Sequence, residues 1–401
     1  MKPLQYLKNN GIKHAFDILY QYKVDLLIQK IMKPILKNKP LQDVIVIESH
    51  NDFDCNGGAF FQFLINNGYN KKYKIVWLLK HPELKRKDLP DNVLCVPLFK
   101  PSIKKNYYIC VAKFFTADNT VVKKVRKEQK SFYFDHGAGG FKNIKGLLMI
   151  PNHVDYILME SESYAPIQAD QYSIEYPSER FLYLGYPVHD VLNSKHPDEL
   201  KKITDKTFEK VIIWMPTFRK GGGFNRDDSG KEQPLGIPLI NDVTEYQRLN
   251  DLLREKNALL IIKIHPMQDL NALKIKNLSN ITVLTGKDVK NKDIDNYRLM
   301  GCTDALISDY SGVAYDYLQL NKPIGYVLDD MEDYKLGFVV DDIHQLIAGK
   351  EIYTSDDLES FIMDIVNDKD DYKERRKQIR DYIYKYYDTN NCKRLVEFMG
   401  L

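Results

Sequence analysis

Short, unbroken apolar runs alternate along this chain with longer segments whose apolar residues recur at helical spacing. Such runs are typical of parallel strands that are covered on both faces of a sheet. The alternation predicts an α/β fold of doubly wound units. The predicted strands are Val44–Glu48, Lys74–Leu79, Tyr108–Phe115, Ser131–Phe134, Tyr156–Glu160, Phe181–Leu184, Val211–Met215, Leu259–Ile264, Ile281–Leu284, Ala305–Ser308 and Ile324–Leu328, and the predicted helices include Gly57–Asn67, Val243–Lys256, Val313–Gln319 and Leu358–Tyr387.

The polar stretch Asn193–Lys210 interrupts this rhythm, and we place a domain boundary there. The division predicts a helical segment over residues 1–40, a first Rossmann-like domain over 41–198 and a second over 199–401. Ligands of such sheets bind beyond the carboxyl ends of the strands. Two domains of this kind that face each other would bring strand ends to both sides of one cleft. We expect the last helix to be able to return to the first domain.

The first forty residues predict a basic amphipathic helix. They hold eight lysines against two aspartates. A helix of this kind can lie on an anionic membrane surface; the alternative is a helix that packs on the domain and leaves its lysines in water. The apolar positions at roughly helical spacing are Ile12, Ala15, Phe16, Leu19, Leu26, Leu27 and Ile31.

Composition narrows the class of protein. Of the 401 residues 44% are hydrophobic, which favours a packed core over disorder. A net charge of +3 argues against a dedicated nucleic-acid binder. The five cysteines are scattered without a CxxC pair, which favours a reducing compartment with neither a disulfide framework nor a structural zinc site. Without an apolar run long enough to span a bilayer and without a visible signal peptide, we expect a cytoplasmic protein.

The segment ALISDYSGVAYD at Ala305–Asp316 is the most informative of the chain. It predicts that Asp309, Ser311 and Gly312 lie where a strand ends and a helix begins. Amide groups at a helix N-terminus can hold a phosphate. Ordinary helix capping is the alternative interpretation.

His136 follows the strand-like run FYFD and precedes a glycine-rich stretch that includes Gly137 and Gly139. The glycines allow a ligand to approach the imidazole closely. A histidine in this position could accept a proton from an attacking hydroxyl near neutral pH. A turn with an incidental histidine is the alternative.

Two further strand ends carry positive groups. His265 ends the run LLIIKIHP, and Lys263 lies two positions earlier, on the same face. Arg219 ends IIWMPTFR. These cations could bind a phosphate, whereas turn capping and solvated surface charge are the alternatives.

Other patterns are weaker. Asp52 and Asp54 form a DxD-like pair, but they precede a predicted helix, where capping is favoured over metal binding. The glycine-rich stretch Lys220–Lys231 lacks the spacing of a P-loop. No histidine–carboxylate cluster has metal-binding spacing, so we predict no metal site.

Taken together, these residues resemble the CDP-glycerol glycerophosphotransferases, the family of teichoic-acid primases and polymerases. The helix-start segment, with the Lys-Pro that follows it, is the most specific part. The stretches that are similar to motifs of that family, in the same order, are FDHG at Phe134–Gly137, LGYPVHDVL at Leu184–Leu192, MPTFR at Met215–Arg219, KIHP at Lys263–Pro266, LISDYSGVAYDYLQLNKPIGYV at Leu306–Val327, Tyr334–Phe338 and Asp388–Phe398.

The resemblance implies a GT-B-like fold and transfer of a polyol phosphate, glycerol phosphate first, from a CDP-linked donor with release of CMP. The acceptor would be a hydroxyl of a lipid-linked or growing teichoic acid or capsule at the inner face of the plasma membrane. We expect no cofactor to be required. By position, His136 matches the general base and His265 a histidine that assists at the donor phosphates. Arg219, Lys263 and Ser311 match phosphate-contacting residues.

The chain departs from the family pattern mainly on the acceptor side. After the His-Gly motif, Lys142 stands one position later than the lysine of the family, and Val188 and His189 replace an arginine and an asparagine. These departures suit a divergent branch that builds capsule or another surface glycan. Two other functions stay open: a glycosyltransferase that uses a nucleotide sugar, and a non-catalytic, membrane-associated scaffold that retains a nucleotide pocket.

Overall fold

Two parallel β-sheets form the core of the chain in the computed structural model. The structure describes residues 3–84, 88–136, 139–219 and 229–401, without the side chains of 3–15, 18 and 84. The first compact unit comprises residues 1–137, 145–190 and 390–401, and the second comprises 138–144 and 191–389. The predicted α/β class with two doubly wound parallel sheets is confirmed. The predicted limits of the helical segment and the two domains, 1–40, 41–198 and 199–401, stay a prediction.

The sheet of the first unit has the order β3-β2-β1-β4-β5-β6-β7, with every pair parallel. The order reverses between β1 and β4, and ligands of open α/β sheets bind beyond the strand ends at such a point. The strands are β1 Gln42–Glu48, β2 Lys74–Leu79, β3 Val93–Pro97, β4 Ala112–Ala117, β5 Lys130–Tyr133, β6 Tyr156–Leu158 and β7 Phe181–Leu182.

Both faces of this sheet are covered, since consecutive residues of β1 and β2 are buried. Phe60 and Leu64, four residues apart on α2, are fully buried. The last helix, α12, belongs to this unit: Asp190 accepts hydrogen bonds from the amides of Asn391 and Cys392 at 2.8 Å each. The helices are α1 Pro3–Leu36, α2 Cys55–Asn66, α3 Ile103–Val111, α4 Ala165–Gln171, α5 Pro187–Leu192, which carries the chain into the second unit, and α12 Asn391–Met399.

The sheet of the second unit repeats the order of the first six strands, β10-β9-β8-β11-β12-β13, and its order reverses between β8 and β11. Trp214, Leu260 and Ile307 are fully buried in its core. The elements are β8 Lys210–Trp214, α6 Val243–Glu255, β9 Ala258–Lys263, β10 Ile281–Leu284, α7 Gly286–Asn291, α8 Asn296–Gly301, β11 Ala305–Ser308, α9 Val313–Leu318, β12 Ile324–Val327, β13 Lys350–Ile352, α10 Ser355–Val366 and α11 Lys373–Ile383.

Two predicted elements are wrong in part. The strand Tyr108–Phe115 begins only at Ala112, because the preceding residues continue α3, whose first turn is capped by the Ser102 hydroxyl. The single helix Leu358–Tyr387 is two helices, α10 and α11. The chain breaks after Val366, where Asp368 has a φ of 54° that a continuing helix does not permit.

The predicted N-terminal helix is present as α1, which packs on α3. Its buried Asp25 pairs with the Lys105 ammonium at 2.6 Å and accepts a hydrogen bond from the Asn106 amide at 2.5 Å. Four described members of the predicted apolar stripe of α1 are each more than half exposed: Phe16, Leu19, Leu27 and Ile31. Leu26 is partly buried, and Ile12 and Ala15 lie outside the described side chains.

Among the helices described, none combines the length and the apolar character that crossing a bilayer would require.

Candidate active site

His136 lies just beyond the end of β5, on the edge of the first sheet where parallel strands end. Its Nδ1 is 2.8 Å from Oδ1 of Asp135, and the other carboxylate oxygen accepts a hydrogen bond from the Tyr172 hydroxyl at 2.6 Å. Gln168 donates to that hydroxyl at 3.1 Å. Asp135 has a φ of 62°, an unusual backbone angle for a non-glycine residue. This chain of contacts fixes the carboxylate beside the imidazole.

The ion pair controls both protonation equilibria. Burial acts to lower the pKa of His136, but the Asp135 carboxylate outweighs it and the pKa is raised. Burial acts to raise the pKa of Asp135, but His136 and the Tyr172 hydroxyl outweigh it and the pKa is lowered. The His136 side chain is 49% exposed. Since Asp135 occupies Nδ1, Nε2 is the nitrogen presented to a substrate.

A second histidine, His50, lies against the first, and the sequence analysis missed it. The ring centroids of His50 and His136 are 4.6 Å apart and their planes differ by 11°. Lys80, after β2, donates to the His50 carbonyl at 2.8 Å and pairs with Glu48 at 2.7 Å. The sequence position of His50 could have identified it, because His50 follows the end of β1 just as His136 follows the end of β5.

The DxD-like pair beside His50 serves the backbone. Asp52 accepts hydrogen bonds from the amides of Lys80 and His81, both at 2.8 Å. Asp54 accepts one from the Asn51 amide at 2.8 Å. The predicted capping of the helix is wrong in detail, because Asp54 stands at the N-cap position of α2 but its side chain accepts no hydrogen bond from the first turn. Within the described ranges, no group of three or more histidine, cysteine, aspartate or glutamate side chains could hold a metal ion.

In the second unit, Arg219 follows β8 and Asp309 follows β11, on the two sides of the point where the strand order reverses. The Arg219 guanidinium contacts Asp330 through Nε at 2.5 Å and Nη2 at 3.0 Å, and Asp309 through Nη1 at 2.8 Å. The three side chains are at most 1% exposed. The attraction of the two carboxylates outweighs the effect of burial and raises the pKa of Arg219.

Arg219 was predicted to contact a donor phosphate and Asp309 to lie in the same site. Both roles stay predictions, and the geometry speaks against a direct contact of Arg219 with the donor. The guanidinium is paired with two buried carboxylates, and its own side chain is 1% exposed. Asp309 is engaged as well, since it accepts hydrogen bonds from the amide and the hydroxyl of Thr217 at 2.9 and 2.6 Å. Both residues tie the ends of β8 and β11 together.

Ser311 and Gly312 form the entry to α9 and are half-buried. Gly312 is the N-cap residue of α9 and has no side chain that could cap the helix. Among the described residues no acceptor is recorded for the amides of Ser311 and Gly312. A methyl group added to Gly140 would lie 3.2 Å from Cα and 3.3 Å from N of Gly312. A side chain at position 140 would therefore press on the backbone of Gly312.

The residues predicted on the acceptor side fall on the same loop. Gly139 and Lys142 belong by their contacts to the second unit, where Lys142 forms a short antiparallel bridge with Phe338. The ring of Phe141 packs against that of Tyr315 at 4.8 Å. Gly137 lies outside the described residues. A role of these residues toward the acceptor stays a prediction.

Lys263 is the last residue of β9, the neighbour of β8, and His265 lies just beyond it. The ring of His265 is 4.9 Å from that of Phe218, and its Nδ1 accepts a hydrogen bond from the Met267 amide at 3.1 Å. A neutral ring held in this way carries its hydrogen on Nε2. Lys263 is 7% exposed, so its ammonium is largely enclosed. Their predicted role at the donor phosphates stays a prediction.

Comparison with known proteins finds a matching family model and several similar enzymes of teichoic acid synthesis. The model of the family CDP-Glycerol:Poly(glycerophosphate) glycerophosphotransferase matches residues 31–400. The teichoic acid glycerol-phosphate primase of Bacillus subtilis (strain 168) is 27% identical over 321 residues, which are 74% of this chain and 76% of the primase. The teichoic acid ribitol-phosphate polymerase TarL of Staphylococcus aureus (strain NCTC 8325 / PS 47) is 27% identical over 381 residues, 87% of this chain and 60% of the polymerase.

A solved structure of the wall teichoic acid polymerase TagF has the same fold. The TM-score is 0.73 at 19% identity, and the match covers 100% of this chain and 98% of that chain. The predicted GT-B-like fold class is thereby confirmed.

Proposed function

Because the chain belongs to the CDP-glycerol:poly(glycerophosphate) glycerophosphotransferase family, we propose that it transfers a polyol phosphate from a CDP-linked donor to a hydroxyl of a lipid-linked or growing cell-envelope glycan. Glycerol phosphate is the expected group, and CMP is the leaving product. The observation that carries the proposal is the pair His136–Asp135, a half-exposed imidazole held by a carboxylate at a strand end. The acceptor we propose is a teichoic acid or capsule glycan.

The proposed reaction is one direct displacement at phosphorus. The acceptor hydroxyl attacks the β-phosphate that bears the polyol, and Nε2 of His136 takes its proton. The new bond joins the acceptor oxygen to this phosphorus, the bond from phosphorus to the bridging oxygen breaks, and CMP leaves with that oxygen. Asp135 stabilises the imidazolium that forms. Proton transfer by a positioned base typically contributes about 10²–10⁴-fold to the rate.

On the donor side, we propose that the amides of Ser311 and Gly312 hold the phosphates. The recorded contacts leave these two amides without an acceptor, and they follow β11, at the point where ligands of such sheets bind. Lys263 ends β9, the neighbour of β8, and His265 follows it. Both would offset charge on the departing CMP. In this proposal Arg219 supports the site by fixing the strand ends and does not itself contact the donor.

We propose that α1 carries the protein to the inner face of the plasma membrane. Its exposed Phe16, Leu19, Leu27 and Ile31 supply apolar area, and its lysines supply attraction to anionic lipid. Co-sedimentation with vesicles that contain phosphatidylglycerol checks this. Replacement of Phe16, Leu27 and Ile31 by Ser should abolish co-sedimentation, and unchanged co-sedimentation would contradict it.

The donor test compares CDP-glycerol and CDP-ribitol with UDP- and GDP-sugars, in the presence of a lipid-linked glycan acceptor. Mass spectrometry identifies the released nucleotide. The proposal predicts CMP from a CDP-polyol and no nucleotide from the sugars. Release of UDP or GDP from a nucleotide sugar would instead identify a glycosyltransferase, and absence of release from every donor would identify a non-catalytic scaffold.

A further inference from the structure

His50 is a residue of the first unit to which the sequence analysis gave no role. His50 lies on the loop after β1, and His136 lies on the loop after β5. In the sheet, β4 is the one strand between β1 and β5. The two rings are nearly parallel, with centroids 4.6 Å apart and planes 11° apart. This is a stacked arrangement of flat rings. One face of the His136 ring is therefore covered by His50.

The His136 ring is thus held in two independent ways. Asp135 holds its edge through Nδ1 at 2.8 Å, and His50 holds one face. An edge contact alone would allow the ring to swing about the Nδ1–Asp135 axis. A contact on the face opposes that rotation, so the direction in which Nε2 points is fixed. The loop carrying His50 is itself secured, because Lys80 donates to the His50 carbonyl at 2.8 Å.

The charges around the pair decide which ring carries a proton. Burial, His136 and Lys80 together lower the pKa of His50 to about 4. Lys80 acts from the end of β2 and is paired with Glu48 of β1 at 2.7 Å. Asp135 acts from the loop after β5, and Asp54, just before α2, also favours a proton on His136. At neutral pH, His50 is therefore neutral, and a proton on the pair resides on His136.

A neutral ring beside His136 favours the protonated state that a general base must adopt during the reaction. When His136 takes a proton, the face of the His50 ring offers an electron-rich surface to the imidazolium, whereas a second imidazolium would repel it. The Nδ1 atom of His50 is buried and has no hydrogen-bond partner among the described residues. The ring face, and not that nitrogen, is what His50 presents to His136.

We propose that His50 is a positioning residue, whose neutral ring stacks on His136 and fixes the direction of its Nε2 toward the acceptor hydroxyl. The proposal rests on the proposed function in one respect, namely that His136 is the general base. It goes beyond that function in naming a residue that acts on the base without touching either substrate.

The kinetic test replaces His50 by Phe, which keeps a flat, uncharged ring, and by Ala, which removes it. His50→Phe should keep kcat within a few-fold of the unaltered protein. His50→Ala should lower kcat by about 10–100-fold, because small displacements of a catalytic group have effects of that size, while the KM for the donor stays the same. His344→Ala is the control, since it removes a histidine that lies outside this cluster and contacts Glu351 at 2.8 Å instead.

Each other kinetic result would overturn the proposal. Unchanged kcat in His50→Ala would show that the stack does not position the base. Equal losses in His50→Phe and His50→Ala would show that a ring nitrogen of His50 is required. If His50→Ala does not fold, His50→Leu replaces it, since Leu fills the volume without a flat face.

A spectroscopic test separates this proposal from the proposed function. NMR of ¹³C-labelled histidine follows the titration of His136, assigned by its loss in His136→Asn. Asp135 raises the pKa of His136. In His50→Ala the imidazolium loses the electron-rich ring face beside it, so the pKa of His136 should fall, whereas His50→Phe supplies a comparable face and should keep the pKa raised. An identical His136 titration in all three proteins would overturn the positioning role. If His136→Ala keeps full turnover while the NMR result holds, the general-base role fails and the stacking interaction stands.

Discussion

Removing the Arg219 guanidinium tests whether this residue holds the second unit together. In Arg219→Met, Asp309 and Asp330 would stay buried without their shared cation; their side chains are 1% and 0% exposed. Methionine keeps the volume and removes the contacts at 2.5, 2.8 and 3.0 Å. Breaking a buried ion pair from one side lowers the free energy of unfolding by about 3–5 kcal/mol, and we expect a loss of that size.

The loss should depend on pH with a definite sign. Burial acts to raise the pKa of Asp330, but Arg219 outweighs it and lowers the pKa. A carboxylate with a lowered pKa in the folded state stabilises the fold above its unfolded pKa, about 3.9, and this stabilisation is lost as the pH falls through the folded pKa. Without Arg219, burial raises the pKa, so protonation relieves the unpaired charge. The difference between the two proteins should therefore narrow from pH 7.5 to pH 5.

Urea unfolding followed by tryptophan fluorescence measures the loss, because Trp214 is fully buried in β8 of the second unit. Hydrogen exchange of the β8 and β11 peptides assigns the transition to this unit. Arg248→Met is the control: Arg248 is 53% exposed, its contact with Glu359 is 2.7 Å, and an exposed pair contributes at most about 1 kcal/mol. If Arg219→Met is as stable as Arg248→Met but has lost donor binding, our reasoning is wrong and Arg219 is a phosphate ligand.

Three further predictions concern other contacts. In Asp135→Asn the pKa of His136 should fall, and since the base must be neutral, the decline of CMP release at low pH should move to lower pH; an unmoved profile contradicts the pairing. Gly140→Ala should raise the KM for the donor several-fold, because the added methyl group lies 3.2 Å from Cα of Gly312; isothermal titration with CDP-glycerol checks this, and unchanged affinity contradicts it. Asp190→Ala should lower the stability of the first unit by about 1–3 kcal/mol in thermal unfolding, because it leaves two amides of α12 unpaired; an unchanged transition contradicts it.

Much of the fold could be predicted because the strands of both sheets are continuously apolar. Val44–Glu48, Lys74–Leu79 and Ala305–Ser308 coincide with observed strands almost to the residue. The strands that were missed lie at sheet edges: β3 has a single buried residue, Val96, among its side chains, and β13 has only three residues. Edge strands are half-covered, so their sequences lack the apolar run that identifies the others.

The candidate site was predictable at the level of strand ends but not of contacts. His136 could be identified because glycines follow it, whereas His50 has no such neighbour, and its stacking depends on β1 and β5 lying near each other in the sheet. Arg219 was taken for a phosphate ligand because sequence alone does not show where Asp330 lies. That carboxylate is far along the chain and reaches Arg219 only through the order of the second sheet.

The most direct test of this account is the rate of CMP release from CDP-glycerol, with a lipid-linked acceptor, in His136→Asn. Asparagine keeps the bulk and removes the base. The account predicts a fall in kcat of about 10²–10⁴-fold, with binding of CDP-glycerol nearly unchanged. Turnover equal to that of the unaltered protein would contradict it.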